Sequence, residues 1–384
     1  MWSIDNGRSR RRGVAARLRQ AWVRWEIRHR HKRLVSMPET VNIELTGKCN
    51  VKPACTFCVG KNLPLYHEPG HLDLKPYWPL LLRARRVNDC SYGEPMLYPG
   101  FDGVVARLAA AGVKFGFTTN GLLLTERRAR FLAEHGDAID FCVSVNAASA
   151  AIYAIHHGQD FGRLVANLRR FVQIHSEVRP GQPLPMVLSF IVMRSNRHEI
   201  ADFLRLAHDI GLKRVLLRHL FDLGYDGFTA NSFGYHFRYG TEMLPLEDYQ
   251  AIERAVRQGR PPLDVEFAWN PKDSFIAEQA EEGVDIPCLF PWKFLCVRPL
   301  HDIYAPCVYH KQPMASPAKM SIAEVWNGEV MRGLRRALAA GKVPDYCMER
   351  AHNCPLVMAE RAKHAPAMEP SPRTVKPEPY AQAT

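Results

Sequence analysis

At 384 residues the chain has room for a large core domain and a smaller one. Its 47% apolar and 23% charged content is that of a globular protein and excludes a disordered or fibrous chain. No apolar run reaches the length of a membrane span and the start lacks the apolar core of a secretory signal, so a cytoplasmic protein is expected. The net charge of +12 is concentrated: Arg8 to Arg33 holds eleven Arg or Lys and one acid, Glu26, giving +10 there, and the near-neutral body excludes a broad nucleic-acid-binding surface.

Residues 1–37 read as a basic amphipathic helix in which Val14, Leu18, Trp22 and Trp25 share one face. That face is expected to dock on the body through its tryptophans, with anionic lipid or an acidic partner as the alternatives. From Val41 to Phe221 short apolar runs alternate with helical patterns. The expected strands are Val41–Leu45, Arg86–Cys90, Val113–Thr118, Ile139–Val145, Met186–Met193 and Val215–His219, with helices over Phe101–Ala111, Glu126–Glu134, Phe161–His175 and Arg197–Ile210. Six strand–helix repeats predict the α/β class: a parallel sheet curled into a partial (β/α)6 TIM-like barrel over residues 38–245. Its reactive loops belong at the carboxyl ends of the strands.

The aromatic stretch Phe221–Gly240, with Phe228, Phe233, Tyr235, Phe237 and Tyr239, has no clear period and would plug the barrel end or line an entrance. Residues 246–286 read as a connecting segment with one helix, Glu247–Arg257. A cysteine-bearing domain occupies 287–364, and the Pro-, Ala- and Lys-rich tail 365–384 is expected to be disordered.

Ten cysteines in a reducing compartment point to metal or catalysis rather than disulfides. Cys49, Cys55 and Cys58 crowd the loop after the first strand, where three thiolates can hold three corners of a four-iron cubane and leave the fourth iron open. A zinc site completed by a distant histidine is the alternative. Tyr92-Gly93-Glu94-Pro95 follows strand two and Thr118-Thr119-Asn120-Gly121 follows strand three. Ser144-Val145-Asn146 ends strand four, and Arg194 and Asn196 follow strand five. Each alone is ordinary turn chemistry, but their succession at strand ends is hard to assign to chance.

Together these motifs resemble the radical S-adenosylmethionine (radical SAM) superfamily, from Val41 to Phe221 and onward into the C-terminal cysteines. The resemblance implies a catalytic 4Fe-4S cluster on Cys49, Cys55 and Cys58 whose open iron chelates the methionine amine and carboxylate of S-adenosyl-L-methionine. Reductive cleavage then gives a 5′-deoxyadenosyl radical. Tyr92, Gly93, Glu94 and Pro95 stand where the family receives the methionine ammonium. Thr119 and Asn120 form the family turn, Ser144 and Asn146 lie where it contacts the ribose, Phe57 is placed near the adenine, and Arg194 is a further cofactor contact. One departure is evident: five residues separate Cys49 from Cys55 where the family commonly has three, so Lys52-Pro53 is expected to bulge outward.

Cys288, Cys307, Cys347 and Cys354, with Cys288-Leu-Phe-Pro-Trp and Ser321-Ile-Ala-Glu-Val-Trp326-Asn327, resemble the SPASM domain or its shorter twitch form. That implies a second, auxiliary 4Fe-4S cluster, with Cys296 able to replace Cys288 and a zinc ribbon as the alternative. The implied enzyme is an oxidoreductase that abstracts hydrogen from a small polar molecule, of sugar or aminocyclitol type, and passes the radical's electron to the auxiliary cluster. An external reductant such as flavodoxin or ferredoxin would drive it. Cys90, at the end of strand two, offers hydrogen return and hence epimerisation. Peptide maturation is a further alternative, and a non-catalytic zinc protein with a basic nucleic-acid-binding arm is the rival from another class.

Overall fold

The computed structural model describes residues 14–58, 70–220, 228–269, 282–297, 303–304, 314, 321–351 and 354–364. The expected ligand Cys307, the first part of the aromatic stretch and the tail 365–384 lie outside the described residues.

Strands β1 (Thr40–Ile43), β2 (Arg86–Asp89), β3 (Lys114–Thr119), β4 (Ile139–Ser144), β5 (Met186–Val192) and β6 (Arg214–His219) form one parallel sheet in chain order. Helices Phe101–Ala110, Glu126–Glu134, Phe161–Val178 and Ile200–Ile210 lie in the crossovers. Local chemistry fixes their ends. The Thr125 and Asp160 side chains cap helix starts, and Gly211 at φ +95° closes the helix before β6. Helix Ala150–His157, which the sequence reading passed over, is capped by Ser149 and stopped by Gly158 at φ +57°.

The sheet runs past the six expected strands on both sides. The stretch read as connecting supplies helix Leu246–Gly259 and β9 (Asp264–Ala268), which pairs in parallel with β6. The cysteine-bearing segment supplies β10 (Phe294–Val297), parallel to the other edge of β1 with Cys296 opposite Asn42, and antiparallel β11 (Ile303–Tyr304) beyond it. The C-terminal region therefore shares a sheet with the barrel.

Side chains alternate between the two faces of each strand. The outer face is apolar: Phe117 stacks on Phe141 at 5.1 Å, and Phe141, Phe117 and Phe190 meet Phe171, Phe101 and Phe203 of the covering helices. Each such buried ring contributes on the order of 1.5–3 kcal/mol. The inner face is more polar. Asn88 Nδ2 donates to Asn42 at 3.1 Å, and Arg86 bridges Asn88 and Asp140 at 2.6 and 3.0 Å. A Cβ at Gly116 would stand 2.5 Å from that guanidinium, so glycine makes the space for it. Cys142 belongs to a small apolar cluster with Val187 and Leu216 on this inner face, a packing role.

The N-terminal helix Val14–Arg28 corrects an expectation. It docks through Val23 and Ile27, while Leu18, Trp22 and Trp25 remain 65%, 47% and 41% exposed. Buried Glu26 accepts from Val35 N–H at 2.6 Å and thereby ties the chain that leaves the helix back onto it. The C-terminal region clamps the same segment: Trp292 Nε1 donates to His31 O at 2.9 Å, Trp326 Nε1 to Ser36 O at 2.7 Å and Arg335 to Lys32 O at 3.0 Å.

Candidate active site

The loop after β1 begins as an extension of the sheet edge. Leu45 N–H donates to Asp89 Oδ1 at 2.8 Å, Leu72 N–H to Leu45 O at 2.9 Å and Gly47 N–H to Gly70 O at 3.0 Å. Val51 is buried while Lys52 and Pro53 are exposed, so the two extra residues bulge outward as expected. Cys58 N–H then donates to Cys55 O at 3.0 Å and closes the turn carrying the last two thiols. Burial pushes the Cys55 thiol well up, and Cys58 and Cys49 nearby add to the shift.

Three thiols sharing this loop suit an iron–sulfur cluster, whose positive irons would stabilise the thiolate forms. Among the described residues no three Cys, His, Asp or Glu side chains converge on a single-ion position. Cubane ligands bind separate irons and need no such convergence.

Gly93 is pressed against this loop. A Cβ there would lie 2.3 Å from both the Lys48 and Thr46 carbonyl oxygens, and the following Glu94 N–H donates to Lys48 O at 2.7 Å. Buried Glu94 accepts from Thr119 Oγ1 and Asn120 N–H, both at 2.8 Å, and from Met96 N–H at 3.2 Å. Asn120 Nδ2 reaches back to Asn50 at 2.7 Å. The structure thus brings Gly93, Glu94, Thr119 and Asn120 together beside the cysteine loop. Burial outweighs these donors and pushes the Glu94 carboxyl up to about 7. A buried carboxyl with that cost of ionisation is suited to a cationic partner such as a methionine ammonium. Pro95 is buried in the short turn that Glu94 caps, and Tyr92 beside it is half-buried.

The other expected residues divide. Asn146, at φ +56°, is wholly buried. Its Oδ1 accepts from Ile191 N–H at 2.8 Å and its Nδ2 donates to Ser144 Oγ at 2.8 Å, so it holds the ends of β4 and β5 together instead of presenting a free amide to a ribose. Asn196 completes this brace, donating to Asn146 O at 3.0 Å and Ile191 O at 2.9 Å. Arg194 is exposed, with Nε on Thr241 O at 2.9 Å. The Phe57 ring packs edge-on against His157 at 5.3 Å and joins a cluster with Phe228, Phe237 and Tyr239. Phe237 lies on, and Phe228 and Tyr239 flank, the hairpin β7 (Thr229–Ser232) and β8 (Tyr235–Arg238), whose Phe233 ring rests against Gly158. The described part of the aromatic stretch, residues 228–240, is therefore packed against Phe57 of the cysteine loop.

Two residues that the sequence reading missed complete the setting. His157 Nδ1 lies 3.3 Å from Cys55 Sγ, and its ring stacks on Tyr153 at 4.6 Å. His156 Nδ1 meets Thr56 Oγ1 at 2.9 Å and its Nε2 meets Ser195 Oγ at 2.9 Å, which in turn donates to Glu242 at 2.7 Å. Burial drives His156 down to about 4 and His157 down to about 3, so both rings are neutral. Their only sequence signal is the His-His pair ending a helix; both partners, Thr56 and Cys55, lie about a hundred residues upstream.

Cys90 follows β2 on the inner face. Its N–H donates to Ile43 O at 2.7 Å, and the residue is exposed at the carboxyl end of β2. Enclosure there, with Cys296, Asp89 and Glu44 around it, pushes the thiol up and keeps it protonated. Cys296 is thereby located: it is buried on β10 beside Cys90, in the sheet. Cys347 and Cys354 pack in one small cluster, with burial and Cys354 pushing Cys347 up to about 12, and Cys288 is half-buried at the edge of the main core.

The fold and site define an α/β partial barrel with a three-cysteine loop at the carboxyl end of its first strand and a buried carboxylate beside that loop. A profile described as "Radical SAM superfamily" matches residues 43–234, half of the chain, and the chain belongs to that superfamily. It is 23% identical over 332 residues to a PqqA peptide cyclase of Streptomyces rochei, covering 84% of this chain and 82% of that one. It is also 27% identical over 230 residues to a probable GTP 3′,8-cyclase of Saccharolobus islandicus, covering 57% and 68%. The fold resembles that of Streptococcus suis SuiB bound to S-adenosylmethionine, with TM-score 0.59 and 15% identity over 87% of this chain and 74% of that one. The protein is thus a radical SAM enzyme, and its family implies a 4Fe-4S cluster and S-adenosylmethionine.

Proposed function

We propose that the enzyme removes hydrogen from a polar substrate held against the inner face of the barrel and completes an oxidation. When bound, the cluster and S-adenosylmethionine supply the 5′-deoxyadenosyl radical that takes the hydrogen atom. Cys49, Cys55 and Cys58 would hold the cluster, and Glu94 would accept from the methionine amino group, framed by Thr119 and Asn120. Tyr92, Gly93 and Pro95 shape that cradle, while Phe57, Ser144 and Arg194 flank it at neighbouring strand ends. The polar inner face, where exposed Cys90 ends β2, supports a polar substrate such as a sugar or aminocyclitol. A peptide is the second reading, favoured by similarity to the PqqA peptide cyclase over most of both chains. 5′-Deoxyadenosine release above background with aminocyclitols or sugars, but not with candidate precursor peptides, supports the first; the reverse supports the second.

Oxidation of an alcohol-derived radical to a carbonyl releases one proton and one electron. Cys288, Cys307, Cys347 and Cys354 would hold the auxiliary cluster that accepts the electron, and the Cys347–Cys354 pairing is the observation supporting it. An external flavodoxin or ferredoxin would supply the electron that starts each turnover. Cys90 supports the competing fate, since a protonated thiol at the end of β2 can return a hydrogen atom and invert a stereocentre. Turnover in deuterium oxide distinguishes them, because an S–H exchanges with solvent. The expected result is an oxidised product without carbon-bound deuterium, an active Cys90→Ala variant, and a Cys307→Ala variant that cleaves the cofactor but forms no product. Deuterium on product carbon with an inactive Cys90→Ala variant overturns this in favour of epimerisation.

Glu94 gives the binding step a pH signature. Below about 7 its carboxyl is protonated in the unliganded protein, and the N–H donors of a methionine amino group favour the ionised form. Binding below that pH therefore expels a proton. The S-adenosylmethionine affinity of the reconstituted enzyme should fall as pH drops from 8 to 6, approaching about tenfold per unit once below the pKa. The Glu94→Gln variant should bind more weakly at pH 8 with a flattened profile. An unchanged slope in that variant removes Glu94 from the amino-group site.

A further inference from the structure

The N-terminal helix leaves its most apolar face uncovered. Leu18, Trp22 and Trp25 recur at i, i+4 and i+7, and His29 continues the same stripe, its N–H donating to Trp25 O at 3.0 Å. The two indoles lie 5.1 Å apart, and both His29 and His31 pack on Trp25 at 4.6 Å, so the stripe is an ordered aromatic ridge. Exposed Arg19 and Arg28 fall to either side of that stripe on the helix and exposed Lys32 and Arg33 follow it, within the segment that carries +10 of the chain's charge. Val23, Glu26 and Ile27 on another face hold the helix to the body, and Trp292, Trp326 and Arg335 clamp the segment that follows. The ridge is therefore presented on a fixed support.

We propose that this ridge docks the enzyme on an anionic lipid surface. Indoles on an apolar stripe bordered by cations match the interface between acyl chains and acidic headgroups, where the ring buries and its N–H stays hydrated. The shape favours a bilayer over a peptide: peptides are gripped in grooves or along free strand edges, and this is the convex side of one helix. Because the helix leads into the amino end of β1, docking leaves the cysteine loop at the opposite, carboxyl end of the strands free to take substrate.

The test is co-sedimentation of the full-length protein with vesicles of phosphatidylcholine, or of phosphatidylcholine mixed with phosphatidylglycerol. Binding is expected only with phosphatidylglycerol. It should weaken strongly near 1 M salt, where the screening length falls to about 3 Å. The Trp22→Ala/Trp25→Ala variant should lose about tenfold or more in affinity, and both residues are exposed enough for its iron content and fold to be retained. Quenching of wild-type tryptophan emission by brominated lipid gives a readout independent of the variant. Equal binding to both vesicles, no binding to either, or full affinity in the double variant overturns the proposal. So does an oligomer that the double variant dissociates in a wild-type protein that ignores vesicles, which would assign the ridge to a second copy of the chain.

Discussion

Anaerobically reconstituted Cys55→Ala protein is expected to form no detectable 5′-deoxyadenosine with a strong reductant, and its iron and sulfide should drop by one cluster's share. The loss is complete rather than partial because of where Cys55 sits. It lies between the other two thiols of the loop and is the one that faces His157, 3.3 Å from its sulfur. Alanine removes a ligand from a site with no fourth protein thiol on that loop to take over. The C-terminal cysteines are untouched by the change, so iron retained after substitution would report the auxiliary cluster proposed for them. Cofactor cleavage at the wild-type level would show that the loop does not hold the catalytic cluster.

Gly93→Ala should be nearly as damaging although no ligand is touched. An added Cβ would stand 2.3 Å from two backbone carbonyl oxygens, those of Thr46 and Lys48, and backbone cannot rotate away as a side chain could. The loop must move, and Lys48 directly precedes Cys49. Overpacking of this kind costs about 1–3 kcal/mol, but the larger consequence is geometric. The same shift breaks the 2.7 Å bond from Glu94 N–H to Lys48 O that aligns the buried carboxyl with the cysteine loop. A displacement of about 1 Å in such a site reduces rate by about 10²-fold. The expected outcome is a folded protein with a lowered melting temperature, incomplete cluster loading and cofactor cleavage reduced by about that factor. Normal loading and cleavage would mean that the contact is not needed for the site.

Much of this protein is written locally. Strands such as Ile139–Ser144 and helices such as Glu126–Glu134 follow from apolar period and capping residues within a few positions, and three cysteines in one loop are visible as a group without any tertiary information. Glu94, Thr119 and Asn120 were legible because parallel strands in chain order bring successive strand ends together. What the sequence left open depends on partners distant in the chain. Phe294–Val297 is only a four-residue apolar run until the free edge of β1 accepts it. His156 and His157 gain their roles by meeting Thr56 and Cys55 across about a hundred residues. The N-terminal helix has apolar residues on two faces, and periodicity cannot choose between them. Tertiary structure chose Val23 and Ile27, because Glu26 hooks the chain at Val35 and the C-terminal tryptophans hold it there, leaving Trp22 and Trp25 outside. Local propensity thus determined which elements form and which ligands share a loop; long-range packing decided which faces meet, and so which residues stand behind the cysteine loop and which remain at the surface.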